Sequence, residues 1–397
     1  MSKTQIEDMP ILAAVPKKEE NHLAWIEALR GFAAMWVIVY HSREQLWIGF
    51  YQIHGTPHAY SFFDRVFAWF SLPAACGASA VMLFFLISGF CIHLPYAANS
   101  RVLYPAQYSV RRLLRIFPPY LFAVALTCAV EWMIYWINGA APSPWHRVLR
   151  VALLSQNYGN VSQLWSNGAL WSLPVEVELY FAYLLLYFLL RKVSGKWAMI
   201  IVSISSLAAT LGYMRGIGMF EANFIRFWAM WCAGAFLAEK FKSGRLPEFK
   251  VWNAVVFMLF LISAICGVGG KWHIAIEQYL WAGAYYHLLW IALLYPNSIH
   301  KFPTWCVRLL VWLGTISYSA YLIHKALFAL YAALWVSIAG VKPYNFIVPL
   351  LFSVSVWPVA WLFWRFCEYP FHNLSRRVAN FKFGWPSLQA ALFSSRA

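Results

Sequence analysis

Ten long apolar runs set the pattern of this chain, at about residues 28–47, 66–96, 118–137, 174–190, 197–214, 222–238, 252–268, 273–295, 309–331 and 346–366. An apolar run of about 18 residues or more can cross a bilayer as a helix. The runs do not alternate apolar and polar positions, which argues against a transmembrane β-barrel. The pattern predicts an all-α fold, a polytopic transmembrane helical bundle of about ten helices. The second run contains Pro73 and Gly77, so a kink or break is expected there. Proline suits the first turn of a helix, and Pro118-Pro119 therefore predicts the start of the third helix, after a basic inner loop at 97–117.

The polar stretches between the runs fix an orientation. If the N-terminus is cytoplasmic, 20 Lys and Arg residues fall in the inner segments and six in the outer ones. Positive residues concentrate on the cytoplasmic side of membrane proteins, so both termini are expected inside. Residues 1–24 then read as a polar cytoplasmic segment without the short apolar core of a cleavable signal. Residues 25–366 read as the transmembrane domain. In the tail, 367–397, Phe371, Leu374, Val378 and Phe381 recur at helical spacing among Arg376, Arg377 and Lys382, which suggests an amphipathic helix on the cytoplasmic leaflet. The outer segment 138–173 is the longest connection, rich in Trp, Asn, Ser and Gly, and reads as an interfacial or re-entrant segment beside an acceptor.

Composition sharpens this picture in two places. The formal net charge of +16 would suit nucleic acid, but its distribution follows membrane topology, so membrane lipid and no nucleic acid is the expected partner. The seven cysteines stand singly in apolar stretches without a Cys-x-x-Cys, and the histidines form no His-x₃-His pair, so no metal site is expected.

The first run carries two groups that hydrocarbon disfavours, Arg30 and His41. Eleven residues apart, they lie within about 20° of one helix face and about 16 Å apart along the axis. Ionisable groups at such depth commonly mark a pathway or a reaction site. A neutral imidazole can take a proton from a hydroxyl, so His41 is a candidate general base; a packing histidine is the alternative. Arg111, Arg112 and Arg115 cluster at i,i+3 and i,i+4 spacing, and guanidinium forks suit phosphate; anchoring to anionic lipid is the alternative. A helix beginning at Pro118 would add its N-terminal dipole there. Ser88-Gly89 is a small pair that permits close backbone approach or lines a site. Glu176 and Glu178 open the fourth helix, where a carboxylate is favourable in itself or could orient an acceptor or the histidine. Tyr318, Tyr321 and His324 share spacings of three and form a polar stripe, and Glu368-Tyr-Pro370 reads as a helix terminus at the cytoplasmic surface.

These stretches, in this order, resemble the acyltransferase-3 family of integral membrane acyltransferases. They are Leu29-Arg30-Gly-Phe-Ala-Ala with Tyr40-His41, Phe84-Phe-Leu-Ile-Ser88-Gly89-Phe90, Arg111-Arg-Leu-Leu-Arg115-Ile-Phe-Pro118, Trp171-Ser-Leu-Pro-Val-Glu176, Ile316-Ser-Tyr-Ser-Ala-Tyr-Leu-Ile-His324 and Glu368-Tyr-Pro370, spanning about 25–373. The chain departs from the family's pattern at Pro174, where serine is common, and at Lys325, where an aromatic is common. The resemblance implies transfer of an acyl group, most often acetyl, from acyl-CoA to a hydroxyl of a carbohydrate or glycolipid acceptor, by a multi-pass protein of the bacterial cytoplasmic (inner) membrane. The family's functional histidine and arginine fall on His41 and Arg30, and its Arg-x-x-Arg feature on Arg112 and Arg115; from the residues themselves we expect His41 to act as the catalytic base with Glu176 orienting the acceptor. Arg30, Arg111, Arg112 and Arg115 would bind the donor, and Ser88, Tyr318 and His324 would line its path. No fused SGNH-type domain is expected in 367–397. A glycan or lipid transporter or flippase is the alternative, although the hydropathy shows no inverted repeat. The oligomeric state stays open.

Overall fold

A computed structural model of the chain describes residues 17–158, 163–267 and 270–380. It is helical throughout, with no strand among the described residues. In chain order the α-helices are α1 Lys17–Leu46, α2 Phe50–Gly55, α3 Phe62–Trp69, α4 Ala80–His93, α5 Pro105–Asn138, α6 Trp145–Ala152, α7 Ser172–Lys192 and α8 Gly195–Met214. They continue with α9 Phe224–Lys242, α10 Val251–Gly267, α11 Ile274–Leu294, α12 Thr304–Thr315, α13 Ser317–Ala339, α14 Ile347–Phe363 and α15 Tyr369–Asn380. Among the described residues, seven stretches are long and apolar enough to cross a membrane: Asn21–Leu46, Phe62–Asn99, Pro105–Asn138, Gly168–Leu190, Gly195–Met214, Ser317–Ala339 and Ile347–Val378. The remaining apolar runs became α9, α10 and α11, which complete the bundle. Outward-facing side chains such as Leu185, Ile204, Leu259, Leu351 and Val354 are apolar and exposed, as a lipid-facing surface requires. Trp132, Trp136 and Trp145 are also exposed, around one end of α5, the position of an interfacial aromatic belt.

Two reciprocal pairs of glycine contacts bring helix backbones close together. A Cβ on Gly31 of α1 would collide with the Leu310 carbonyl of α12, and one on Gly314 of α12 with the Glu27 carbonyl of α1. The second pair is reciprocal in the same way. Gly89 of α4 lies against the Trp231 carbonyl of α9, and Gly234 of α9 against the Leu86 carbonyl of α4. Without a hydrophobic force between helices in lipid, such small-residue contacts supply close van der Waals packing.

Several expectations are corrected. The third helix begins at Pro105, not Pro118, and runs unbroken through Pro118 and Pro119. Membrane helices tolerate interior proline, and Tyr318 Oη of α13 packs against this stretch, donating to the Ile116 carbonyl at 2.9 Å. Most of 97–117 is therefore helix, and no helix N-terminus at 118 faces the arginines. The run 309–331 is split at Ile316 into the end of α12 and the start of α13, and the bend lets both lie against α1. The break expected at Pro73 and Gly77 is a 3₁₀ segment, Pro73–Ser79, whose Pro73 carbonyl accepts from Trp36 Nε1 at 2.9 Å.

The C-terminal boundary looks different too. α14 passes through a π-helical turn, Trp364–Glu368, directly into α15, so no loop falls at 366 and Glu368 does not terminate a helix. α15 lies along α5, with the Phe371 and Phe122 rings 6.2 Å apart. Phe381 and Lys382 of the expected amphipathic tail lie outside the described residues. Replacing Gly89 or Gly234 with Val is expected to cost about 3 kcal/mol or more, seen as loss of the folded peak in detergent size-exclusion chromatography. Gly218→Val, at a glycine with open space around it, is expected to keep that peak.

Candidate active site

A seam of polar groups crosses this apolar bundle from Arg30 to His41. At the Arg30 end, the guanidinium donates to Glu27 Oε1 and Oε2 at 3.0 and 3.2 Å, one turn away on α1. Glu368 is buried beside it, accepting from Ser319 Oγ at 2.5 Å, with Arg115 and Arg30 as its neighbouring cations. The three clustered arginines of α5 take separate places. Arg111 is exposed; Arg112 and Arg115 are half-buried. The Arg112 guanidinium lies 5.4 Å from the Tyr108 ring and 5.7 Å from the Tyr180 ring, a cation–π arrangement. Beside it is a crevice of about 10 Å³ between α5 and α7, room for one water.

On α4 one stripe stands out. Phe84 and Ser88 are half-buried and Cys91 is exposed, while the rest of the helix is buried. Spaced by four and three, they share a face. Cys91 has Arg30, Glu27, Arg115 and Arg112 as its charged neighbours, so this face opens toward the arginine end. Ser88 Oγ accepts from Trp231 Nε1 at 3.3 Å and donates to Glu176 Oε1 at 3.4 Å, and Tyr180 Oη donates to the same carboxylate oxygen at 2.6 Å. Beyond them, Tyr321 Oη donates to the Ala169 carbonyl at 2.9 Å and shares a hydrogen bond with Ser172 Oγ at 2.7 Å.

At the other end, His41 Nδ1 lies 2.9 Å from Glu44 Oε2. A carboxylate only accepts, so Nδ1 carries the proton and Nε2 keeps its lone pair. Lys325 Nζ of α13 reaches the same Glu44 oxygen at 3.5 Å. The His324 ring of α13 stands 5.2 Å from the His41 ring. His41 retains some exposure and Glu44 is half exposed, so this end is open to small molecules.

Described parts of the connection 138–173 are tied to α5 and α13 by buried polar groups. Buried Glu131 of α5 accepts from the backbone N–H and hydroxyl of Ser143 and of Ser166, at 2.7 to 3.3 Å. Asn167 Nδ2 donates to Thr127 Oγ1 at 3.0 Å and to the Leu322 carbonyl at 2.9 Å, tying the loop to α5 and α13.

Residues 23–365 match the family described as acyltransferase domain, of acyltransferase-3 type. The chain belongs to the acyltransferase-3 family. No curated protein and no solved structure matches it significantly. It is a multi-pass membrane acyltransferase.

Within this acyltransferase the predicted site residues fall into three groups along the seam. Arg30, Arg112 and Arg115 lie at one end, Ser88, Glu176 and Tyr318 in the middle, and His41 with His324 at the other. Glu176 does not hold the histidine; Glu44 does. Sequence reasoning missed Glu44, although its i,i+3 spacing from His41 on a single helix was a usable signal. It also missed Glu368 as an interior carboxylate, because a Glu-Tyr-Pro run reads as a helix end. Lys325, visible as a departure from the family pattern, acquires a partner in Glu44. Glu44→Ala should lower the acyl-transfer kcat about 10- to 100-fold, the worth of a hydrogen bond to a charged group, with the donor KM unchanged in steady-state assays.

Proposed function

We propose that this acyltransferase moves an acyl group, acetyl in the first instance, from cytoplasmic acyl-CoA to a hydroxyl of a surface or exported glycan. The observation that carries the reading is the polar seam, with cations at one end and an oriented imidazole at the other. The positive-inside bias puts the arginine end in the cytoplasm, where acyl-CoA is found. Arg112 and Arg115 bind donor phosphates there, and Arg30 adds charge deeper in. Arg111, exposed, serves the outer part of the donor. The acyl arm extends along the Cys91, Ser88 and Phe84 face, past Tyr318, toward His41. Glu176, already bonded by Ser88 and Tyr180, lies beside this path and can accept from an acceptor hydroxyl.

The chemistry at His41 depends on its tautomer. His41 Nδ1–H donates to the Glu44 carboxylate, leaving Nε2 as the base. Nε2 removes the proton of the acceptor hydroxyl as its oxygen attacks the thioester carbonyl. The C–O bond forms, the C–S bond breaks, and the imidazolium returns its proton to the departing thiolate. Glu44 stabilises the charge that His41 carries in between. Holding both substrates in register beside His41 supplies the rest. The proposed setting is a bacterial cytoplasmic membrane with both termini inside.

The test uses the purified full chain in detergent with labelled acetyl-CoA and a panel of methyl glycosides, read by mass spectrometry. Acetylated glycoside is expected, and His41→Ala should lower its formation about 10²- to 10⁴-fold. No product from the wild type with any glycoside, alongside glycan movement in sealed vesicles, would replace this reading with a transporter. The donor path has its own readout. Alkylation of Cys91, followed by peptide mapping, should slow several-fold when CoA is added, and Arg112→Ala or Arg115→Ala should weaken that shielding. Unchanged alkylation would place the donor elsewhere.

A further inference from the structure

The turn that links α4 to α5 is strained and held in place. Ala98 and Asn99, side by side, take left-handed backbone conformations with φ of 53° and 55°. Residues with a Cβ rarely adopt that region, and such strain persists where surrounding contacts enforce it, commonly at ligand sites. The enforcing group here is Glu239, in the last turn of α9. Its Oε2 accepts from the Ala98 N–H at 3.0 Å and lies 3.1 Å from His93 Nε2. A carboxylate only accepts, so that nitrogen carries the proton, and His93 Nδ1 is left to accept from Tyr183 Oη at 3.0 Å. Ser100 Oγ donates back to the Ala97 carbonyl at 2.8 Å and closes the turn.

This turn presents Tyr96. Its ring centre lies 6.1 Å from that of Tyr183 and 6.0 Å from that of Tyr187, and the Tyr108 ring stands 5.6 Å from Tyr183. Three of the four tyrosines are buried and bonded into the fold. Tyr108 Oη donates to the Tyr180 carbonyl, Tyr183 Oη to His93, and Tyr187 Oη accepts from the Leu103 N–H. Tyr96 differs. It is half-buried, and no hydrogen bond from its hydroxyl ties it to the protein among the described residues. The charged groups that act on it most are Arg112, Arg111 and Arg101, the last two exposed. An aromatic ring backed by other rings and fringed by guanidinium groups suits a planar base that carries phosphates, through stacking and charge together.

We propose that Tyr96 stacks against the adenine ring of the acyl-CoA donor, with Arg101 and Arg111 against the phosphate on its ribose, and that Glu239 is a positioning residue that holds the turn for this contact. The proposal deepens the reading of acyl-CoA as the donor and rests on it. It divides the donor along the seam. Arg112 and Arg115 hold the diphosphate, the thiol arm runs on toward His41, and the nucleotide stays at the cytoplasmic surface beside the turn.

The first test uses the full chain in nanodiscs and adenosine 3′,5′-bisphosphate, the nucleotide end of CoA without its thiol arm, titrated by calorimetry. The wild type should bind it. Tyr96→Leu, which keeps apolar bulk but removes the ring, should weaken binding about 10-fold or more, the worth of a base stacked on an aromatic side chain. Tyr96→Phe, which keeps the ring, should stay within about twofold. A wild type that does not bind the bisphosphate overturns the proposal, as does a folded Tyr96→Leu protein that binds as the wild type does. Glu239→Ala should weaken binding several-fold in the wild type and not further in Tyr96→Leu, because the two changes disable one contact. Equal losses in both backgrounds overturn the positioning role. The second test is transfer to the methyl glycoside that the wild type acetylates fastest. In Tyr96→Leu the KM for acetyl-CoA should rise about 10-fold or more, with kcat and the KM for S-acetylpantetheine, which has no nucleotide, within about twofold. An equal rise for S-acetylpantetheine overturns the nucleotide contact even though transfer is confirmed. Absence of transfer by the wild type, with bisphosphate binding that depends on the Tyr96 ring, overturns the enzymatic reading and leaves the nucleotide site standing.

Discussion

Polar groups inside a membrane-spanning bundle survive only if other protein groups meet their hydrogen bonds and charge. In this chain that constraint arranges everything else. Arg30 has Glu27; Glu368 has Ser319 and the neighbouring arginines; Glu176 has Tyr180 and Ser88; His41 has Glu44. The partners come from α1, α4, α5, α7, α13 and the turn after α14, so satisfying them draws distant segments to one axis. The glycine contacts of α1 with α12 and of α4 with α9 allow the backbones to come close enough for this. Packing and polarity therefore act together: close helices make the interior apolar, and the interior then makes each charge dependent on its partner.

The same arrangement separates two environments in one protein. Cationic side chains gather where the chain's basic segments lie, and the oriented imidazole stands at the other end of the seam. An acyl-transfer enzyme whose donor and acceptor sit on opposite sides of a membrane needs this polarity, because the two substrates meet only if each enters from its own side. Phe84, Ser88 and Cys91 form the less buried stripe of an otherwise buried helix lying between the two ends.

Much of this was legible in the sequence, for physical reasons. Transmembrane helices announce themselves by length and apolar character, so the ten runs and the broken second one emerged from residues alone. Arg30 and His41 were legible because they lie on a single helix, where spacing fixes geometry. What failed were rules imported from water. A proline pair reads as a helix boundary in soluble proteins, but here the helix runs on through Pro118 and Pro119. Glu368-Tyr-Pro370 looked like a terminus for the same reason. The pairing of His41 with His324, and of Glu44 with Lys325, was hidden because it joins helices almost three hundred residues apart. No periodicity along a single segment carries that information.

The π turn at Trp364–Glu368 has a consequence of its own. Such a turn holds one residue more than an α-helical turn, as an insertion into an ordinary helix does. Each added residue rotates the remainder of the helix by about 100°. Without the extra residue, α14 and α15 would form one regular rod, and either the lipid-facing side of α14 or the face of α15 against α5 would be out of phase. The widened turn absorbs the mismatch in register, and it does so where Glu368 enters the interior. A local winding defect thus gives one continuous helix two independent facings.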